Sequence, residues 1–280
     1  MAVALPTTIS EVLSALEANP EAHILAGGTD FMVEVNFGHR RPNSIISLKG
    51  VTELRRRLRS GPSMFLGAMT TYTDLLAPDV AEALPALAIA ARTVGSPQIR
   101  NAGTIGGNVG TGSPAGDLLP VLAALDATIH LMSTSGGERR LPWSEFFIGP
   151  KRTARNPDEL LTGVTVPVLN SRQDYLKVGT RNAMVISVAG LALVVDLDRQ
   201  TLGCGLGSVG PVPLRAPDAE RFAAEHIDWE NGTMPDPRTY ETFASMVAAA
   251  SRPIDDHRST ADYRRHAVKT MAQRALMRLV

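Results

Sequence analysis

The segment from residue 95 to residue 120 restricts the possible fold more than any other part of the sequence. It reads GSPQIRNAGTIGGNVGTGSPAGDLLP and contains seven glycines and three prolines, with no acidic side chain before Asp117. Glycine loses the most conformational freedom in regular structure, and proline lacks the N–H that the interior of a helix requires. The segment therefore cannot be one continuous helix or strand, and it predicts turns where the backbone can approach a ligand closely.

Two glycine-rich turns are the main candidates for a binding site. The first comprises Ala26, Gly27, Gly28, Thr29 and Asp30, and the second comprises Thr104, Ile105, Gly106, Gly107 and Asn108. Glycine tolerates the positive φ that turns successive amides toward one anion. A single Gly-Gly pair usually indicates only a tight turn, whereas two such turns flanked by hydroxyl and carboxamide side chains favour phosphate binding. The residues alone thus indicate a nucleotide or flavin site.

Asp117 closes the uncharged part of the segment, directly before a helix predicted for residues 118–125. One interpretation is a helix N-cap, a position that aspartate favours strongly. The other is a carboxylate that accepts a hydrogen bond from a ribose hydroxyl. Spacing alone favours the cap.

The sequence argues against several other kinds of site. Residues 205–210 fit G-x-G-x-x-G, but prolines follow at positions 211, 213 and 217, so we predict a bulged strand and turn instead of a dinucleotide site. The six histidines show no metal-ligand spacing, and Cys204 is predicted to be a buried apolar residue. No acid–base pair is visible, so we predict no catalytic residues and no metal ligands in this chain, and any redox chemistry would belong to a cofactor.

Composition narrows the class of protein further. The chain has 28 basic and 28 acidic residues, and this neutrality argues against nucleic-acid binding. One cysteine excludes a disulfide framework and any iron–sulfur cluster held by four thiolates of this chain. Neither a signal peptide nor an apolar segment long enough to cross a bilayer is recognisable. We therefore expect a cytoplasmic protein without a membrane span.

The order of these motifs resembles the FAD-binding medium subunit of the molybdenum hydroxylases, the family of xanthine dehydrogenase and aerobic carbon monoxide dehydrogenase. The resemblance rests first on the two glycine turns and covers nearly the whole chain. Three further segments fit it: Phe146–Gly149, Pro157–Leu161 and Asp262–His266.

The resemblance implies an α+β fold in two domains. Residues 1–170 would form an FAD-binding domain of the vanillyl-alcohol-oxidase type, with subdomains at about 1–50 and 51–170. Residues 171–280 would form a C-terminal domain with a three-stranded antiparallel sheet and helices.

The resemblance also implies a non-covalent FAD and a set of residues that bind it. Both glycine turns would bind the diphosphate, with Ile105 near the isoalloxazine. Asp117 would bind the adenosine ribose, Leu161 would lie on the adenine side, and Lys177 or Arg181 would approach the flavin.

The function implied is electron transfer within a larger enzyme. A small partner subunit with [2Fe–2S] clusters would pass electrons to this FAD, and a large partner subunit would carry molybdopterin, in a dimer of heterotrimers. The alternative is a stand-alone FAD-dependent oxidase or dehydrogenase that acts directly on a small molecule. That enzyme would need an acid–base residue at the flavin, for which Tyr72 and Tyr175 are the candidates.

Overall fold

Four β-sheets organise the chain in a computed structural model that describes residues 2–280. The strands are β1 Ala2–Ala4, β2 His23–Leu25, β3 Ser44–Ser47, β4 Arg57–Ser60, β5 Ser63–Gly67, β6 Thr128–Ser133, β7 Gly137–Pro142, β8 Phe147–Gly149, β9 Arg152–Thr153, β10 Leu160–Pro167, β11 Ser171–Val178, β12 Ala189–Asp196, β13 Thr201–Gly207 and β14 Leu214–Arg215. Helices and strands alternate irregularly along the chain, which gives the α+β class that the sequence predicted.

The helices cover the faces and edges of these sheets. They are α1 Ile9–Ala18, α2 Phe31–Asn36, α3 Pro78–Ala83, α4 Pro85–Thr93, α5 Pro97–Ala102, α6 Ile105–Thr111, α7 Leu119–Ala124, α8 Trp143–Phe146, α9 Pro217–His226, α10 Arg238–Ala250 and α11 Ala261–Leu279. Short 3₁₀ turns occupy residues 48–50, 52–55 and 74–76.

A parallel sheet in the order β1-β3-β2 forms the N-terminal unit. The Thr8 hydroxyl caps α1 by accepting a hydrogen bond from the N–H of Glu11 at 3.2 Å. The Glu11 carboxylate accepts from the N–H of Thr7 at 2.6 Å. Val12 and Leu16 are wholly buried on the inner face of the helix. These contacts place the end of β2, and the glycine turn after it, at the border of this unit.

The largest sheet of the N-terminal half is antiparallel, with its strands in the order β4-β5-β10-β6-β7. The segment between β5 and β6 contains α3 to α7. Leu87 of α4 and Leu122 of α7 are wholly buried in its hydrophobic core, together with Leu66 of β5 and Val164 of β10. The glycine-rich segment is therefore anchored on both sides by core helices.

The C-terminal sheet has four antiparallel strands, in the order β11-β12-β13-β14, so the expected three-stranded sheet is wrong by one strand. The additional strand, β14, has only two residues, Leu214 and Arg215, which pair with Leu206 and Gly205. It lies among prolines, which do not donate main-chain hydrogen bonds. Because prolines argue against a strand, the sequence did not predict this one.

The glycines of β13 allow helix α7 to lie directly on the C-terminal sheet. A Cβ on Gly203 would lie 2.1 Å from the carbonyl oxygen of Ala124, and one on Gly205 would lie 1.8 Å from that of Pro120. A side chain at either position would clash with the helix backbone. The first half of the G-x-G-x-x-G pattern lies on a strand, as predicted, although β13 pairs with β12 without the expected bulge. Its role in helix–sheet packing was not predicted.

Hydrogen bonding changes partner abruptly after β10. The N–H of Val168 donates to the carbonyl of Pro62, next to the five-stranded sheet. Two residues later, the carbonyl of Asn170 accepts from the N–H of Leu197, which follows β12 of the four-stranded sheet.

Candidate functional site

The fold brings the two glycine segments together into one surface. A Cβ on Gly27 would lie 1.8 Å from the carbonyl oxygen of Ala102 and 3.0 Å from the Cα of Gly103. On the other side, a Cβ on Gly107 would lie 3.9 Å from the Cβ of Ala26. Only a residue without a side chain permits the first of these approaches. Gly27 is thus in direct backbone contact with Ala102 and Gly103, which directly precede the second segment and lie 75 residues or more further along the chain.

The first glycine segment presents main-chain N–H groups without partners. Gly28 has a φ of 74°, in the left-handed region that favours glycine. Among residues 2–280, nothing accepts a hydrogen bond from the N–H groups of Gly27, Gly28, Thr29 or Asp30. Asp30 precedes α2 and makes no side-chain capping bond. Successive unpaired amides with one residue at positive φ form a concavity that binds anions.

The second segment is the start of a helix rather than the turn that we expected. Thr104 is the N-cap of α6, and its hydroxyl accepts from the N–H of Gly107 at 3.0 Å. The N–H of Ile105 donates to Thr70 and that of Gly106 donates to Ala68, both at 2.9 Å. The N–H of Asn108 donates to the carbonyl of Thr104 at 3.0 Å. The amides of this segment are therefore used within the chain.

Gly106 and Gly107 contribute space. Neither adopts the positive φ that we expected of both turns. A Cβ on Gly106 would lie 2.5 Å from the carbonyl oxygen of Ala68, so the start of α6 lies tightly against the end of β5. The Asn108 side-chain oxygen is buried and has no hydrogen-bond partner. Buried polar atoms are rarely left unpaired, so this oxygen fits a donor supplied by a ligand.

Asp117 lies in a buried network that joins the two halves of the molecule. Its Oδ2 accepts a hydrogen bond from the Lys177 ammonium at 2.6 Å, and its Oδ1 accepts from the Tyr175 hydroxyl at 3.1 Å. The side chains of Asp117 and Lys177 are 8% and 7% exposed. Helix α7 begins after Leu118 and has no side-chain cap. The N-cap interpretation of Asp117 is therefore wrong.

Burial governs the ionisation of this network. Burial raises the pKa of the Asp117 carboxyl, and the charge and hydrogen bond of Lys177 oppose that rise. Burial and the nearby Asp117 carboxylate raise the pKa of Tyr175 well above its ordinary value. Burial, and to a lesser extent the Asp117 carboxylate, also raises the pKa of Tyr72. A raised pKa makes each phenol a weaker proton donor, further from the near-neutral pKa that suits an acid–base residue.

Two other predicted residues lie within the core. Ile105 is wholly buried, so neither its side chain nor its backbone is accessible to a ligand in this structure. Leu161 is 6% exposed and lies on β10, the strand against which α6 packs. Arg181 lies apart from Asp117, exposed on the loop after β11, where its guanidinium donates to the carbonyl of Met184.

Two residues of β11 have contacts that the sequence did not predict: Tyr175 donates to Asp117, and the side-chain oxygen of Gln173 accepts from the N–H of Ala86. Gln173, Tyr175 and Lys177 alternate along β11, and alternate residues of a strand share one face. That alternation of polar side chains in a buried strand is the signal that could have identified them. The prediction for Cys204 is confirmed, because it is wholly buried on β13 and burial raises the pKa of its thiol.

No group of three or more histidine, cysteine, aspartate or glutamate side chains in residues 2–280 is arranged to hold a metal ion. None of the helices in the same range combines the length and apolarity needed to cross a bilayer.

Comparison with known protein families matches both halves of the chain. Residues 1–169 match a family described as the FAD binding domain in molybdopterin dehydrogenase. Residues 174–279 match the CO dehydrogenase flavoprotein C-terminal domain.

Individual relatives agree over almost the whole length. The glyceraldehyde dehydrogenase medium chain of Sulfolobus acidocaldarius is 32% identical, with 96% of this chain and 94% of the relative covered. The xanthine dehydrogenase FAD-binding subunit of Escherichia coli O157:H7 is 29% identical, with coverages of 98% and 94%.

A solved structure shares the fold. It is carbon monoxide dehydrogenase from Hydrogenophaga pseudoflava in a form that lacks the Mo-pyranopterin moiety of the molybdenum cofactor. The TM-score is 0.89 at 28% identity, and the match covers 100% of this chain and 96% of that chain. Family, relatives and fold agree: the chain belongs to the FAD-binding medium subunits of the molybdenum hydroxylases, the flavoprotein subunits of multi-subunit oxidoreductases.

Proposed function

We propose that this chain binds one FAD non-covalently at the surface formed by its two glycine segments. In the complex, electrons from the [2Fe–2S] clusters of a small partner subunit reach this FAD and leave it for an external acceptor. The single observation that carries the proposal is the run of unpaired N–H groups from Gly27 to Asp30. The second glycine segment adds the unpartnered side-chain oxygen of Asn108. Amides that converge on one concavity suit a diphosphate, and the lone oxygen suits a hydroxyl or N–H of the ligand.

Each segment has its own role in the proposal. Ala26 to Asp30 bind the diphosphate through main-chain N–H groups. Gly106 and Gly107 leave room for it, while Thr104 and Ile105 fix the start of α6 by capping and by core packing.

The other residues act at the adenosine end of the cofactor. Asp117 accepts a hydrogen bond from a hydroxyl of the adenosine ribose. It can do so because a carboxylate that already accepts from two donors retains further lone pairs. Lys177 keeps that carboxylate ionised, and Leu161 lies on the adenine side.

FAD, when bound, supplies the redox chemistry, since it can take up electrons singly and release them as a pair. The residues of this chain bind the diphosphate and the adenosine end, and burial governs the ionisation of Asp117 and Tyr175. The chain needs no acid or base of its own for this role.

We further propose the arrangement of the whole enzyme. A small iron–sulfur subunit and a large molybdopterin subunit complete a heterotrimer that pairs into a dimer in the cytoplasm. One wholly buried cysteine, Cys204, agrees with clusters that reside in another subunit. The exchange of hydrogen-bond partners between Val168 and Asn170 supports a domain boundary at residues 170–171.

A stand-alone oxidase is the competing function. It requires a residue at the flavin that transfers a proton, but Tyr72 and Tyr175 are both buried and Tyr175 already donates to Asp117. This arrangement favours the electron-transfer subunit.

Co-expression with and without the two partner subunits tests the proposal. We expect the chain to carry FAD in both preparations, with iron and molybdenum only in the complex. A colourless chain that takes up no FAD on titration would contradict the proposal.

A further inference from the structure

Side chains on one face of strand β11 form hydrogen bonds with the FAD-binding half of the molecule. The side-chain oxygen of Gln173 accepts from the N–H of Ala86, at the start of α4, at 3.3 Å. The Lys177 ammonium donates to the carbonyl of Thr93, at the end of the same helix, also at 3.3 Å. The strand therefore binds both ends of α4 through two side chains four residues apart.

Tyr175 lies between these two contacts and is directed at Asp117. Its side chain is buried, with 4% of the residue exposed, and its hydroxyl donates to Asp117 Oδ1 at 3.1 Å. The neighbouring strand has a glycine, Gly190, beside that hydroxyl. A Cβ on Gly190 would lie 3.1 Å from the tyrosine oxygen. The position of the phenol is thus fixed by the sheet.

We propose that Tyr175 is a positioning residue of the FAD site, which orients the Asp117 carboxylate and keeps it ionised. The inference rests on the proposed FAD site and extends it, because the C-terminal domain would then complete a cofactor site whose phosphate cradle lies in the other domain. Tyr175 and Lys177 both act through Asp117, one by hydrogen bonding and the other by charge.

The groups around Asp117 determine how the site responds to pH. Lys177 and Tyr175 face the carboxylate from β11, and Tyr72 lies near enough to feel its charge. The hydrogen bond from Tyr175 lowers the pKa of Asp117 and so opposes the effect of burial. Without that bond, the pKa of Asp117 rises further, and protonation begins at a higher pH.

The test is FAD titration of the full-length apoprotein over a range from mildly acidic to mildly alkaline pH. Tyr175→Phe removes only the hydroxyl, and Tyr263→Phe, at a half-exposed position on α11, is the matched control. We expect Tyr175→Phe to weaken FAD binding by about tenfold, as for the loss of a hydrogen bond to a charged group. Its affinity should also begin to fall at a higher pH than that of the wild type on acidification, while Tyr263→Phe matches the wild type in both respects.

Two outcomes would overturn the inference. One is a Tyr175→Phe variant with wild-type affinity and pH profile, and the other is weaker binding with an unshifted pH profile, which indicates a purely structural role. If Tyr175→Phe does not fold, Gly190→Ala replaces it, because the added methyl crowds the hydroxyl but retains it. Gly190→Ala should shift the profile in the same direction, and an unshifted profile would again overturn the inference. A wild-type chain that binds no FAD would instead refute the proposed function itself.

Discussion

The ammonium of Lys177 lies 2.6 Å from the carboxylate of Asp117, and this ion pair links the first strand of the C-terminal sheet to the end of the glycine-rich segment. Both side chains are almost completely buried. A buried pair of this kind is costly to break, because removal of one partner leaves an uncompensated charge. The pair therefore couples the stability of the domain interface to the proposed FAD site.

Removal of one member of the pair should destabilise the protein strongly. We expect Asp117→Ala to lower the free energy of unfolding by about 3–5 kcal/mol, because Lys177 remains buried without its partner. The double variant Asp117→Ala/Lys177→Met should recover most of that loss. Denaturant unfolding of the apoproteins checks this, and equal stabilities for the single and double variants would contradict it. FAD affinity should stay reduced in both variants, by about 1–3 kcal/mol for Asp117→Ala.

The close approach of the two glycine segments should make Gly27 intolerant of any side chain. A Cβ at this position would lie 1.8 Å from the carbonyl oxygen of Ala102, so Gly27→Ala must push the segments apart. We expect FAD affinity to fall by more than about tenfold as the amides lose their alignment. The matched control is Gly149→Ala, whose Cβ would meet nothing closer than 3.8 Å. Equal FAD affinities in the two variants would show that the close contact between Gly27 and Ala102 is unimportant for FAD binding.

The FAD should be removable without breaking a covalent bond. Neither glycine segment contains the histidine, cysteine or tyrosine that usually attaches a flavin, and Cys204 is buried in the other hydrophobic core. Acid precipitation should release all of the flavin into the supernatant, in a ratio of one per chain. Yellow colour that remains with the pellet would refute this prediction.

Glu138 should make the protein sensitive to acid. Hydrogen bonds from Arg140 and His130 lower the pKa of this carboxyl from its ordinary 4.5 to about 2. A carboxyl whose pKa is lower in the folded state stabilises the fold above its ordinary pKa, and this stabilisation is lost as the pH falls through the folded value. Between pH 4.5 and about 2, the free energy of unfolding should therefore fall more steeply in the wild type than in Glu138→Gln. If the free energy of unfolding falls with pH equally steeply in both proteins, Glu138 is not the source of the acid sensitivity.

Local sequence signals predicted several elements well. Thr8 and Glu11 have the spacing of a capping box, which predicts a helix start, and Thr8 does cap the first helix. The apolar pattern of residues 259–279 predicts a last helix, which in the structure begins at Ala261 with Thr260 as its cap. Asp236 followed by Pro237 predicts a helix that begins at Pro237 with Asp236 as its cap. The helix instead begins at Arg238, although the Asp236 carboxylate does accept from the Arg238 N–H at 3.0 Å. Caps are local hydrogen bonds, so short patterns identify them within a residue or two.

The site was less predictable because its important features are long-range. The sequence identified both glycine segments, but not that Thr70 and Ala68 occupy the N–H groups of Ile105 and Gly106. The partners of Asp117 lie 58 and 60 residues further along the chain. No local pattern around Asp117 contains them, and its N-cap interpretation was wrong for that reason.

The most direct test of the account follows electrons into the flavin. The FAD-loaded chain would be mixed anaerobically with the iron–sulfur subunit of the same complex, reduced beforehand with dithionite and desalted. The account predicts rapid bleaching of the visible flavin absorbance with this partner, and none when the chain alone meets small organic substrates. A flavin that stays oxidised with the reduced partner, yet is bleached by an organic substrate without iron or molybdenum, would contradict it.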